Sequence, residues 1–140
     1  MRIPAFSLAR QIERLKPELS AAVEAVMASG QFILGEPVRR FEEEAARWLG
    51  VRQAIGVGNG SDALYLALRA LEVGPGDEVI VPAFTFFATA GSVLRCGAKP
   101  VFTDIDLDTF NIEPGEALAR VTPRTRAILP VHLFGLPADL

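Results

Sequence analysis

Apolar residues recur at a helical spacing of three or four along the first fifty residues and predict two amphipathic helices. We expect the first helix to kink or restart at Pro17. The second follows Pro37 and is expected to end at Gly50. The first apolar stripe consists of Leu8, Ile12, Leu15, Leu19, Val23, Val26 and Met27.

From residue 53 onward, short apolar runs alternate with helical patterns. The predicted strands are "QAIGVG", "DEVIVP", "KPVFTDID" and "RAILPVHLFG", and the helices between them are "SDALYLALRALEV", "FFATAGSVLRCG" and "EPGEALARV". Continuous apolar runs are typical of strands that are buried on both faces. The alternation therefore predicts an α/β fold with a mainly parallel sheet between helices.

The pattern divides the chain into a helical segment at 1–50 and an α/β segment at 51–140. Four strands are few for a complete doubly wound domain, and the last residues, "PVHLFGLPADL", follow a strand directly. We therefore expect the α/β segment to be the first part of a larger domain.

Composition excludes several classes of protein. The net charge is -3 without a basic run, which argues against a nucleic-acid partner. One cysteine and one histidine exclude a disulfide framework and a zinc site built from cysteines or histidines. The start of the chain has no signal-peptide pattern, and the uncharged run 79–94 is too short for a membrane helix. We expect a cytoplasmic protein without a metal or membrane partner.

The stretch "GVGNGSDALYLALRAL" places alternate glycines before a helix and is the main candidate for a binding site. The first N–H groups of a helix have no intrahelical acceptor, and the helix dipole favours an anion there. We expect free N–H groups at Gly60, Ser61 and Asp62, with the Ser61 hydroxyl as a further donor to a phosphate. The alternative is that Ser61 or Asp62 only caps the helix.

Gly58, Gly60 and Ala63 also fit the G-x-G-x-x-A dinucleotide pattern. That site needs an acid at the carboxyl end of the second strand, where it holds the ribose hydroxyls. The acids of that predicted strand, Asp77 and Glu78, lie at its amino end. A dinucleotide-binding domain is therefore the weaker alternative.

Two more elements bring side chains to the predicted ligand edge of the sheet. "PAFTFFATA" contains Phe84, Phe86 and Phe87, any of which could stack on a flat heterocycle or serve as ordinary core. Asp104 lies at the ligand end of the next predicted strand and is either a turn residue or a polar group on the substrate side, and we favour the turn.

Four blocks of the sequence, taken together, resemble the DegT–StrS family of nucleotide-sugar aminotransferases. They are "FILGEPVRRFEEEAARWLG", "GNGSDALYLALRALEVGPGDEVIVPAFTFFATA", "GAKPVFTDIDLDTFNI" and "TPRTRAILPVHLFG", and they occur in the family's order. The resemblance implies the fold type I, aspartate aminotransferase-like architecture of enzymes that depend on pyridoxal 5'-phosphate (PLP). The chain would supply the N-terminal part of the large PLP-binding domain, a three-layer α/β/α structure.

The resemblance also implies roles for individual residues. Gly60, Ser61 and Asp62 would form the cup for the PLP phosphate, and Phe86 would stack on the pyridine ring. Phe32 and Gly35 resemble the loop on the sugar-binding side. His132 matches the end of a family strand, where we expect a structural role.

The implied activity is transfer of an amino group, often from glutamate, to a nucleotide-linked keto-sugar by a homodimer. The family's Schiff-base lysine and pyridine-nitrogen aspartate lie beyond the "PVHLFG" block, and neither Lys16 nor Lys99 matches that lysine. We therefore expect this segment to lack the covalent anchor and to be inactive alone. The alternative is a binding or regulatory module that keeps the fold without the chemistry.

Overall fold

The computed structural model describes Pro4 and residues 6–139. They form two compact units, one up to Gly56 and one from Val57 onward. Within the described residues, no helix combines the length and apolarity needed to cross a membrane.

The first unit is built from two helices. Helix α1 spans Ala9–Ser29 and continues through Pro17, so the predicted restart at this proline does not occur. Helix α2 spans Glu36–Leu49, with Pro37 in its first turn, where the missing N–H costs nothing. Gly50 adopts the left-handed conformation and ends α2, as predicted.

The second unit is an α/β layer structure with a small parallel sheet. The strands are β1 (Glu78–Pro82), β2 (Lys99–Thr103) and β3 (Thr125–Ile128), in the order β2-β1-β3. Both neighbours run parallel to β1. The helices are α3 (Gly60–Ala70), α4 (Ala88–Arg95) and α5 (Pro114–Ala119), and a short 3-10 turn spans Leu133–Gly135.

The core lies on the two faces of β1. Val79 and Val81 pack with Leu68 of α3 and Val93 of α4 on one face. On the other face, Ile80 joins Ile112, Ala117 and Ala138. These contacts hold α3 and α4 against the central strand.

Two predictions about the sheet were wrong. The run "QAIGVG" forms no strand in the described structure, and both edges of β1 are already paired with β2 and β3. Ile55 and Val57 of this run remain exposed. Burial on both faces holds for β1 alone, because β2 and β3 are the edge strands of the described sheet and stay partly exposed.

A buried carboxylate lies at the amino end of the sheet. Glu78 accepts a hydrogen bond from the Thr122 hydroxyl at 2.7 Å and one from Nη2 of Arg124 at 2.9 Å. Nζ of Lys99 lies 3.3 Å from the same carboxylate. The bonds from Thr122 and then Arg124 outweigh the opposing effect of burial and lower the pKa of Glu78 to about 2.

We predict that Glu78 contributes an acid-sensitive part of the folding stability. Its folded-state pKa lies below its ordinary value of 4.5, so the contribution is complete above that pH. It is lost as the pH falls from about 4.5 to about 2. We expect the stability difference between wild type and Glu78→Gln to shrink across this interval in urea unfolding curves. A difference that stays constant with pH would contradict this prediction.

Candidate functional site

A cavity opens at the carboxyl edge of the sheet, beside the N-terminus of α3. Its volume is about 570 Å³, and residues from the α3 start, the β1–α4 connection and the segment after β3 line it. Gly60, Ser61 and Phe86 all line it, so three of the predicted site residues are brought together. Ligands of open parallel sheets bind at this edge.

The first turn of α3 presents unpaired donors to this cavity. Within the described chain, the N–H groups of Gly60 and Ser61 and the Ser61 hydroxyl have no hydrogen-bond acceptor. The prediction of a free N–H at Asp62 was wrong, because Oδ1 of Asn59 accepts that N–H at 2.9 Å. Asn59 is the N-cap, a role that sequence reasoning gave to Ser61 or Asp62 although an asparagine before a helix is itself a capping signal.

Gly60 is not required by the fold itself. Its φ is not positive, and a Cβ built on it would meet no atom within 4 Å. A side chain at this position would instead extend into open space where Gly60 lines the cavity. The absence of a side chain therefore keeps the helix N-terminus accessible.

A charge pair lies beside the same helix start. The Asp62 carboxylate accepts from Nδ2 of Asn59 at 2.9 Å and from Nη1 of Arg95 at 3.0 Å. The Arg95 guanidinium also lies 4.3 Å from the centroid of the Tyr65 ring, in cation–π geometry. Arg95 thus offsets the negative charge of Asp62 near the proposed anion site, a contribution that sequence reasoning missed because the partners are 33 positions apart.

The three phenylalanines of "PAFTFFATA" have different environments. Phe84 packs against Phe110 with ring centroids 5.6 Å apart. Phe87 precedes α4, and its ring lies where a side chain on Gly91 would be. Phe86 is 76% exposed and lines the main cavity, as well as an adjoining one of about 480 Å³ that Ser61 and Arg95 also line. Phe86 is the ring best placed to stack on a ligand.

The segment after β3 is braced by a buried asparagine that the sequence did not single out. Oδ1 of Asn111 accepts the Leu133 N–H at 3.1 Å, and its Nδ2 donates to the carbonyls of Leu136 and Pro137 at 3.0 and 3.1 Å. These partners lie 22 to 26 positions downstream, so no local pattern could reveal them. Asn111 therefore fixes one wall of the cavity.

Three other predicted residues have their own local environments. Asp104 is exposed, and its carbonyl accepts the Glu113 N–H at 3.2 Å, in keeping with a role in chain reversal. Phe32 is exposed in the first unit. Gly35 is the N-cap of α2, and a Cβ there would lie 2.9 Å from the Gln31 carbonyl, so close packing explains this glycine.

The dinucleotide interpretation is not supported by this geometry. No strand precedes the glycine stretch in the described structure, although that motif requires one. Glu78 begins β1, so its carboxylate is at the amino edge, away from the α3 start that would hold the phosphates. Fold and site together define a parallel α/β protein with a helix N-terminus suited to a phosphate-bearing ligand.

Comparison with known proteins identifies the family within this class of α/β proteins. The DegT/DnrJ/EryC1/StrS aminotransferase family matches residues 13–140, and the chain belongs to this family. It is 54% identical, over its whole length, to a pleiotropic regulatory protein of Geobacillus stearothermophilus, of which it covers 38%. It is 49% identical to a UDP-N-acetyl-3-dehydro-alpha-D-glucosamine 3-aminotransferase of Acidithiobacillus ferrooxidans, with 99% of this chain and 37% of that protein covered.

Among solved structures, the fold matches NtdA from Bacillus subtilis with bound cofactor PMP. The TM-score is 0.93 at 36% identity, and the match covers 99% of this chain and 32% of NtdA. The chain thus spans 32% to 38% of the length of these relatives. The predicted family and the aminotransferase-like fold are confirmed.

Proposed function

We propose that this chain is the N-terminal part of a PLP-dependent aminotransferase that transfers an amino group to a nucleotide-linked keto-sugar. The observation that carries the proposal is the pair of unpaired N–H groups at Gly60 and Ser61 beside the exposed ring of Phe86. Family membership and the sugar aminotransferase among the relatives support the reaction class.

The donor set fits the chemistry of PLP. A phosphate needs converging N–H and O–H donors, and Gly60 and Ser61 offer two amides and one hydroxyl at a helix N-terminus. A pyridine ring needs a flat apolar partner, which Phe86 offers in the same cavity. We retain Asp62 in the phosphate cup as a supporting residue, because its bonds to Asn59 and Arg95 hold the first turn of α3 in place.

When bound, PLP supplies the electron sink for amino transfer. The residues of this chain would then bind and orient the cofactor. The α3 amides and the Ser61 hydroxyl would hold the phosphate, and Phe86 would fix the plane of the ring. We propose that Phe32 and Gly35 lie on the substrate side, as the resemblance implies. A polar group on the substrate side is the alternative to a turn role for Asp104.

The Ser61 hydroxyl should contribute one hydrogen bond to cofactor binding. We expect Ser61→Ala to weaken PLP binding by about 1 kcal/mol, roughly fivefold, since the backbone donors remain. Titration of the full-length apoprotein with PLP, followed by fluorescence quenching, measures this change. Unchanged affinity would mean that the backbone amides alone hold the phosphate.

The proposed function is tested on the full-length protein that contains this segment. After incubation with PLP and borohydride reduction, intact mass spectrometry should show one covalent adduct per chain. In a separate sample that is not reduced, glutamate should convert the bound cofactor to its amino form, as followed by the absorption spectrum of the cofactor, and a keto-sugar nucleotide should reverse the change. A protein that takes up no PLP would overturn the proposal.

A regulatory role is the second candidate, and the relative described as a pleiotropic regulatory protein favours it. Such a module would bind PLP or a sugar nucleotide without turning it over. The same cofactor spectra separate the two candidates. PLP uptake without amino transfer from glutamate or from any other donor would support the regulatory role.

We further propose a cytoplasmic homodimer that uses glutamate as the amino donor. The family resemblance supports the dimer, and nucleotide sugars and glutamate are metabolites of the cytoplasm. Sedimentation equilibrium of the full-length protein tests the dimer directly. A monomer across micromolar concentrations would contradict it.

A further inference from the structure

The ring of His132 occupies a defined position in the main cavity. It lines the same space as Gly60, Ser61 and Phe86. Its Nδ1 lies 3.0 Å from the Ala138 nitrogen and accepts that N–H. A ring nitrogen that accepts a hydrogen bond carries no proton, so the proton of the neutral imidazole is on Nε2.

The backbone around the ring is held in place by the brace from Asn111. The Asn111 side chain makes hydrogen bonds to the backbone of Leu133, Leu136 and Pro137. These residues lie on both sides of the turn that separates His132 from Ala138. Ala138 itself is buried in the core cluster of Ile80. The acceptor bond at Nδ1 is therefore part of a preorganised loop.

The other nitrogen is left free for a ligand. Nε2 has no hydrogen-bond partner within the described residues, and the side chain is accessible. We propose that the Nε2–H of His132 donates a hydrogen bond to an acceptor atom of the phosphate-bearing ligand in this cavity. His132 is then a ligand-binding residue, beyond the structural role that its sequence position suggested. This inference rests on the proposed function for the identity of the ligand, PLP.

Two substitutions in the full-length protein distinguish the roles of the two ring nitrogens of His132. His132→Asn keeps an acceptor near the position of Nδ1 for the Ala138 N–H but removes the donor. His132→Gln places an amide N–H near the position of Nε2. We expect PLP binding to weaken about fivefold in His132→Asn, the value of one lost hydrogen bond, and about twofold or less in His132→Gln.

Long-range ¹H–¹⁵N spectra of the PLP-free protein test the tautomer independently. The His132 signals, identified by their loss in His132→Asn, should show an unprotonated Nδ1 and a protonated Nε2. Hydrogen exchange at Ala138 should remain slow in His132→Asn, which would show that the loop is intact.

The outcomes distinguish this inference from the function on which it rests. Equal PLP affinity of wild type and His132→Asn, or a protonated Nδ1, would overturn the role of His132 and leave the proposed function standing. Absence of PLP uptake by the wild type would overturn both. Weaker binding in His132→Asn with recovery in His132→Gln is the result expected from donation by Nε2.

Discussion

Gly60→Val should abolish most of the affinity for PLP while leaving the protein folded. The φ of Gly60 is not positive and a Cβ there meets nothing within 4 Å, so the Cβ of the new side chain creates no clash within the described chain. The added side chain would occupy the space through which a phosphate approaches the amides of Gly60 and Ser61. Overpacking costs up to about 3 kcal/mol, so we expect affinity to fall about 100-fold.

Two measurements separate this effect from a loss of stability. Titration of the full-length apoprotein gives the PLP affinity, and urea unfolding should show a midpoint close to that of wild type. Gly74→Val is the matched control, because Gly74 lies in the turn before β1, away from the cavity, and its Cβ would be 4.0 Å from the nearest atom. Wild-type affinity in Gly60→Val would remove Gly60 from the phosphate cup.

Asn111→Ala should cause the largest loss of folding stability among the substitutions considered. The side chain is buried and makes three hydrogen bonds to the backbone of the segment after β3. At about 1 kcal/mol for each lost bond, we expect unfolding to require about 3 kcal/mol less free energy. The freed backbone groups would also loosen the cavity wall that carries His132.

Urea unfolding of the full-length protein measures the global change, and hydrogen exchange of residues 130–139 measures the local one. Leu107→Ala is the control, because this exposed residue lies in the same connection between β2 and α5, and its loss should change stability by less than about 0.5 kcal/mol. Unaltered exchange in residues 130–139 of Asn111→Ala would show that the brace contributes nothing to the wall.

Most elements of the fold were predictable from local signals in the sequence. In the second unit, the helix after Asn59 and the strand ending at Pro82 lie close to their predicted places. In the first unit, Gly50 ends α2 because glycine has no Cβ and adopts the left-handed backbone conformation without a steric penalty. Such features depend on a few neighbouring residues, and a single sequence contains them.

Strand pairing was less predictable. "QAIGVG" has the composition of a strand, yet it forms none in the described structure, because it pairs with neither outer edge of the sheet and a strand also requires hydrogen bonds to a partner. The exposure of β2 and β3 follows from their position at the edges of the sheet, which the apolar runs do not encode locally.

The sequence by itself determined the alternation of strands and helices, the helix start that we propose as the anion site, and the family to which the chain belongs. Only the tertiary structure decided which donors are free at that start, because the Asn59 side chain takes the Asp62 N–H. It also decided that Phe86 lines the cavity while Phe84 packs against Phe110. The Asn111 brace and the orientation of His132 depend on contacts between distant parts of the chain, which exist only once the strands have paired.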